Sequence, residues 1–513
     1  MVVAQFENKE SIISGLKPEE FSRSLTDKRH LRYLENLLKK HDTQTIVFEY
    51  DYVDHDYLED YSHYYSKCFK PYPKKCTRVH FFSIKFDSEQ FKNIISCEAE
   101  YVRLRENLQA KYLGFVVFKP IPLTVIGKTC LKPAESCSIM CPILRKYDVH
   151  LFGLNLNILS LAFQEQDNVV SACATSAVWS ALQVTGTLFH HRYLSPFEIT
   201  SSASRYSPNR IFPNKGLESL QMATAIKDCG LEPLLNDIVP DADFLKGMMY
   251  AYLKCGIPII MGVQLYRITK VKDQENKYEN LGKHAVTITG YNISEVAFLS
   301  SNKLNLKSGT INEIYVHDDQ LGPFAKMTFR DINFTTQWAE DDDTCDIIAK
   351  PILLLIPVYN KIRISFDKIY NILNQFTFSE LSVLSGENKE IEWDVYLQSL
   401  SDLKQNICAN NDISSENKFK LLTRSFPKYI WVADAYVLRK KDISIFFDAT
   451  DLENGKLFLC AIHYSSGLYK MIHETPLNKK IDKIRSKVTA GYSFLGNNFI
   501  FPHYSEEQSI YFP

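Results

Sequence analysis

Between residues 195 and 360 the apolar residues change period once, and in one direction. Helical stretches come first. "LSPFEIT" offers Ser195 as a cap, Pro196 at the first helical position and Glu198 to complete a capping box. "KGLESLQMATAIKDCGLEPLL" places a helix between Gly216 and Gly230, and "DFLKGMMYAYLKCG" places another that ends at Gly256. Strands follow: "IPIIMGVQL" reads as a buried one, then come "HAVTITGYN", "EIYVHDDQ" and "DIIAKPILLLIPV". The order is helices first and then a set of strands, which reads as α+β.

The 513 residues suffice for about three domains, and the pattern around this block suggests where they divide. Residues 1–149 read as an α/β or α+β domain of unknown role. In it "SLTDKRHLRYLENLLKKH" carries Leu31, Leu34, Leu37 and Leu38 at helical spacing, and "TIVFEY" is a strand. "DYVDHDYLEDYSHYYSKCFKPYPKKC" reads as a solvated helix face whose tyrosines fold onto the core. From "RVHFFSIKF" to "YLGFVVFKPIPLTVIGKTCL" the pattern is strand, helix, strand, and "GKTC" lacks the glycine-rich lead-in of a phosphate loop. The central block spans 150–360, and 361–399 is a helical connector containing "RISFDKIYNILNQF" and the polar linker "SGENKE". Residues 400–513 are a mixed domain with a helix at "SSENKFKLLTRSF" and a hairpin around Asn454-Gly455.

Net charge of −1 gives no global field for nucleic acid or anionic lipid, so neither is expected as a partner. No apolar run of about 18 residues occurs, and the N-terminus lacks the basic-then-apolar pattern of a secretory signal. A cytoplasmic protein is expected. The 12 cysteines are scattered, and Cys130, Cys137 and Cys141, the closest group, have no second pair at zinc spacing. Free thiols are expected, with no metal and no cofactor.

One thiol stands apart. In "QEQDNVVSACATSAVWSALQ" Cys173 falls in the first turn of a helix, where free amide N–H groups and the helix dipole favour a thiolate. Ser171 is the expected N-cap, and Ala174, Ala177, Val178 and Ala181 form a small apolar stripe that lets the helix approach a sheet. A nucleophilic thiol needs an imidazole to take its proton and a third group to orient that imidazole. His284 follows the Gly282-Lys283 turn and heads an alternating strand, which puts it at a strand start, where an active-site edge would be. On the next strand Ile314, Val316 and Asp318 share one face, and Tyr315, His317 and Asp319 share the other. Asp318 is the expected partner of His284, with Asp319 the alternate. His317 reads as a solvent-side or hydrogen-bonded strand residue, or, within "HDD", a metal ligand. Gln166, seven residues before Cys173, or else Gln164, can supply a side-chain donor to an oxyanion.

This order of features resembles the papain-like cysteine peptidase superfamily, and within it the bacterial branch that includes the double-glycine leader peptidases. The likeness rests on the glutamine loop, the Cys173 helix, "KGLESLQMATAIKDCGLE", "CGIPIIMGV", "GKHAVTITGYN" and "IYVHDD". It implies a central domain with a helical half and an antiparallel sheet, the site between them. It implies Cys173 as nucleophile, His284 as general base and acid, Asp318 as orienting group and Gln166 as oxyanion donor. The chain carries Ala174 where glycine or tryptophan is usual, one extra residue between Gln166 and Cys173, and Asp319 where proline is usual. The 34 residues from His284 to Asp318 imply an insertion near "SEVAFLSSNKLNLKSG". The expected activity is that of a thiol peptidase or amide hydrolase acting on a restricted set of proteins or peptides, with flanking domains that select a substrate or partner protein. A transglutaminase-like or other acyl transferase would use the same triad. A catalytically silent binding module, as in a toxin or phage-defence system, would keep the fold alone.

Overall fold

The computed structural model describes residues 2–16, 25, 28–134, 139–167, 172–205, 216–269, 277–294, 304–339, 345–377, 391–451, 457–464 and 510–511. Cys137, Ser171, "SGENKE", Asn454-Gly455 and most of the expected insertion after His284 lie outside the described residues. The chain forms two compact units. One comprises Met1–Ile238, Gly256–Asn292 and Asn312–Val358, and the other Val239–Cys255, Ile293–Ile311 and Tyr359–Pro513.

In the first unit β1 (Val2–Gln5), β2 (Thr45–Tyr52), β3 (Cys76–Phe82), β4 (Tyr112–Phe118) and β5 (Ile126–Leu131) make an antiparallel sheet in chain order. The helices α1 (Lys9–Ile13), α2 (Arg29–Lys40), α3 (His55–His63), α4 (Ser88–Ile95) and α5 (Val102–Ala110) alternate with these strands. The four leucines spaced along α2 bury fully in a core with Ile46, Phe48, Val79, Phe81 and Val116. Each such burial contributes about 1.5–3 kcal/mol. "GKTC" lies within β5 and is strand, not phosphate loop. β4 approaches β5 so closely at Gly114 (φ +115°) that a Cβ would stand 2.0 Å from the Cys130 carbonyl oxygen.

Around α3 the structure corrects the expectation of a solvated acidic face. Tyr57 and Tyr65 are buried, but so are Asp54, Asp56 and Asp60. Asp54 caps the helix through the Tyr57 N–H, Lys128 of β5 stands 3.4 Å from Asp56, and Tyr65 donates to Asp167. Asp56 is accommodated by a partner distant in sequence, which local patterning does not show.

β6 (Ile139–Met140) is followed by a hairpin of β7 (Arg145–Leu151) and β8 (Leu154–Ser160), which turns at Phe152 (φ +47°) and Gly153 (φ +85°). Then come α6 (Cys173–Phe189), α7 (Pro196–Ser204), α8 (Ser219–Asp228) and β9 (Leu231–Asp237). Ser195, Pro196 and Glu198 start α7 with the expected reciprocal capping box. The remaining strands are β10 (Ile259–Thr269), β11 (Lys277–Ile293), β12 (Ile311–Asp318), β13 (Gly322–Arg330), β14 (Asn333–Thr336) and β15 (Cys345–Tyr359). They hydrogen-bond in chain order, and β15 returns to pair with β10, closing a six-stranded barrel. β6 adds to β11 and β9 to β15. Helices and antiparallel sheets together make the chain α+β.

The second unit holds α9 (Ala242–Leu253), α10 (Phe366–Gln375), α11 (Leu400–Ala409), α12 (Ser415–Thr423) and a five-stranded antiparallel sheet. Its strands are β16 (Ile391–Ser399), β17 (Tyr429–Val437), β18 (Lys440–Asp448), β19 (Phe458–His463) and β20 (Ile510–Tyr511). On one sheet face Trp431 meets Tyr252 of α9 edge-on at 5.5 Å and Phe366 of α10 at 6.2 Å. On the other, Leu403, Ile407 and Leu421 of α11 and α12 pack against Ile430, Val432 and Phe446. Asp394 and Asp434 sit directly opposite each other, a like-charge pair offset by Lys254, Lys307 and Lys441 at 2.9–3.3 Å.

Candidate active site

The site begins with the start of α6. Cys173 is its first helical residue, and Ala172 occupies the cap position. This corrects the expectation of a Ser171 cap. No acidic residue lies in the first turn, which leaves the positive end of the helix dipole and its free N–H groups beside the thiol. Cys173 is partly exposed, whereas Ala174, Ala177, Val178 and Ala181 are buried. The small side chains permit close approach: Thr287 of β11 donates to the Ala177 carbonyl at 2.7 Å, and Ser180 donates to the Ala162 carbonyl at 2.9 Å. One bond ties the helix to the histidine strand and the other ties it to the glutamine segment.

His284 is buried in the middle of β11, opposite Val263 of β10, and not at a strand start as expected, because the pairing with β10 runs on through Gly282 and Lys283. Its Nε2–H donates to Asp318 Oδ1 at 3.0 Å, and the Cys173 side chain is a hydrogen-bond partner of the same ring. With Nε2 committed to Asp318, Nδ1 is the nitrogen left for the thiol. Asp318 is held on both oxygens. The Gln320 N–H donates to Oδ1 at 3.1 Å and the Trp338 indole N–H donates to Oδ2 at 2.6 Å. The indole also stands edge-on to His284, 5.3 Å between ring centres.

Strict alternation along β12 would send Asp319 away from Asp318. A bulge between Val316 and Asp318 breaks that alternation, and Asp319 Oδ1 comes to 3.6 Å from His284 Nε2. Both aspartates therefore reach the imidazole, with Asp318 the hydrogen-bonded one. His317 is not on a solvent side: it is buried edge-on to Phe163 and Phe324. Burial pushes its pKa down to about 3, so it is a neutral core residue.

Burial disfavours a charged His284, but the Asp318 charge and hydrogen bond, the Cys173 bond and the Asp319 charge together hold it well above its ordinary value. Burial likewise opposes ionisation of Asp318, yet the His284 charge and bond, with the Trp338 and Gln320 donors, keep it below the usual carboxylate range. Asp319 goes the other way. Burial, reinforced against the pull of His284 by the charges of Asp318 and Glu165, pushes it up to about 7. Among the described residues neither of its carboxyl oxygens has a hydrogen-bond partner.

The ligand atoms of His284, Asp318 and Asp319 lie within 4.8 Å of one another, close enough to hold a metal ion. Asp318, however, is surrounded by three N–H donors, and a cation at that oxygen pair would have to face donated protons. The local chemistry fits a hydrogen-bonded His–Asp pair better than a metal centre.

The glutamine segment runs beside β5. Phe163 exchanges two backbone bonds with Thr129, and the Glu165 N–H donates to the Ile126 carbonyl at 3.1 Å. Gln164 is buried with its amide nitrogen unpartnered among the described residues, and Gln166 is half-buried. An orphaned buried donor costs about 1–3 kcal/mol unless something accepts from it. Cys173, His284 and Asp318 are thus brought together, with Asp319 beside them. Trp338 was not expected, because a lone tryptophan in "TTQWAE" carries no local signal of its long-range bond. Among the described residues no helix is long and apolar enough to cross a membrane. No protein-family model matches the chain, and no curated protein matches it either.

Proposed function

We propose that the chain is a thiol hydrolase of papain-like type, a peptidase or related amide hydrolase with a restricted range of protein or peptide substrates. The observation that supports it most is the His284 ring shared between Cys173 and Asp318. In the proposed reaction His284 Nδ1 holds the proton drawn from Cys173, and the thiolate attacks the carbonyl carbon of an amide. The negative oxygen is met by the Cys173 backbone N–H at the helix start and by a side-chain amide. Gln166 is the sequence candidate for that amide, and the orphaned Gln164 nitrogen favours Gln164 as the second. The C–N bond then breaks, the amine leaves with the proton from His284, and an acyl thioester remains. Water attacks the thioester and gives its proton to His284, and the sulfur departs as thiolate beside the imidazolium, which restores the starting pair. Asp318 stays ionised throughout and stabilises the imidazolium.

The test is alkylation of the full-length protein with a thiol-directed electrophile, read cysteine by cysteine. Cys173 is expected to label at least ~100-fold faster than other partly exposed thiols, and His284→Ala to abolish that advantage. Equal labelling with and without His284 would favour a silent binding module. Amide formation with an added amine, in place of hydrolysis, would favour an acyl transferase. A cytoplasmic location and partner selection by the parts of the chain outside the site belong to the same proposal.

A further inference from the structure

The start of α2 touches Glu165 of the glutamine segment, Trp338 and the Asp319 backbone. Lys28 Nζ lies 2.5 Å from Glu165 Oε1, and the other oxygen of Glu165 accepts the Ile126 N–H at 3.1 Å. Glu165 stands between Gln164 and Gln166. The Arg29 guanidinium lies over the Trp338 ring, 5.6 Å from its centre. His30 Nε2–H donates to the Asp319 backbone carbonyl at 2.8 Å. One turn further, Tyr33 donates to the Pro323 carbonyl at 2.9 Å and fills the space beside Gly322, where a Cβ would meet its ring at 2.1 Å.

These bonds close on one tight turn. The Leu321 N–H donates to the Asp318 carbonyl at 2.9 Å and the Gln320 N–H to the Asp318 carboxylate, so Asp318–Leu321 moves as one piece. The carbonyl that His30 holds is the next one along that piece. Burial keeps His30 below its ordinary pKa, so it is neutral and donates through one nitrogen only. Its Nδ1 is 3.9 Å from Glu165 Oε1, beyond hydrogen-bond reach.

We infer that His30 is a positioning residue: through the Asp319 carbonyl it fixes the Asp318–Leu321 turn so that the Asp318 carboxylate meets His284, while Lys28 fixes the glutamine segment through Glu165. The N-terminal residues are then part of the catalytic geometry, not a detachable substrate selector. The inference rests on the thiol-hydrolase reading for its effect on rate, but not for its effect on the turn. No group of α2 touches the reacting atoms; its influence is entirely on where Asp318 and the glutamines stand.

The experiment compares full-length wild type, His30→Leu and His30→Gln. Glutamine keeps an N–H donor near the position of Nε2, and leucine keeps volume without a donor. The first readout is hydrogen exchange at the Gln320 amide, which is expected to speed up about tenfold or more in His30→Leu and to return toward wild type in His30→Gln. The second is turnover: kcat is expected to fall about ten- to a hundredfold in His30→Leu with KM within about twofold, and to recover in His30→Gln. Unchanged Gln320 exchange in His30→Leu, or equal impairment of both variants, would overturn the inference. If wild-type Cys173 has no labelling advantage, the hydrolase reading fails while Gln320 exchange still decides the positional claim. Should His30→Leu not fold, Lys28→Met tests the same brace at its other end. There the Glu165 amide is expected to exchange faster, and an unchanged rate would sink the inference.

Discussion

Asp319 titrates in the opposite sense to Asp318 beside it. Its folded-state pKa of about 7 lies above the unfolded value of about 3.8. Between those values the folded chain holds a proton that the unfolded chain has lost, so this residue lowers stability progressively as pH rises and does so fully above about pH 7. Asp319→Asn removes the ionisable group while keeping the backbone carbonyl that His30 binds. It is expected to raise the melting temperature at pH 8 and to change it little at pH 4; equal shifts at both pH values would show that ionisation of Asp319 is not the cause. Trp338 sets a second expectation. Trp338→Phe keeps a ring beside His284 but deletes the donor to Asp318, a charge-assisted bond worth about 1.5–3 kcal/mol. Cys173 labelling is expected to slow about ten- to a hundredfold, and an unaltered rate would mean that the indole only covers the site.

At the scale of elements, what was legible in the sequence follows from how local each signal is. The α7 start was readable because Ser195, Pro196 and Glu198 act on one another within four residues. β11 was readable from its alternation after Gly282, and Cys173 from its place at a helix start. The bulge in β12 was not, since register is set by a partner strand, and a one-residue shift decides which aspartates face His284. The Asp56 pairing and the Trp338 bond were hidden for the same reason, because Lys128 and Asp318 come from elsewhere in the chain. The α2–β13 contact gives a test at this scale. Gly322→Ala places a methyl in the Tyr33 ring, and Tyr33 is anchored at its hydroxyl, so the variant is expected to lose about 1–3 kcal/mol in denaturant unfolding. Tyr33→Leu should relieve much of that loss in the double variant, and simple additivity would refute the clash.

The whole molecule is assembled from interleaved segments. The chain passes from one unit to the other after residues 238, 255, 292, 311 and 358. A sequence read in linear blocks places α9 and residues 293–311 within the central block, whereas their contacts group them with the second unit. A fragment of residues 359–513 lacks Tyr252 against Trp431, and Lys254 and Lys307 against Asp394, and so keeps an opposed carboxylate pair without two of its cations. Expressed alone, that fragment is expected to bind a hydrophobic dye and to show poor chemical-shift dispersion. A cooperative unfolding transition with native-like dispersion would show that the omitted segments are dispensable.

The same threading has a consequence for manufacture in the cell. Tyr252 leaves the ribosome roughly 180 residues before Trp431, its partner on the sheet, which at about 5–20 residues per second is a wait on the order of 10–40 seconds. During that interval α9 carries an apolar face whose docking surface has yet to be made. Yield of this protein should therefore respond to translation speed and to chaperone supply over residues 256–431 more than to the stability of the finished fold.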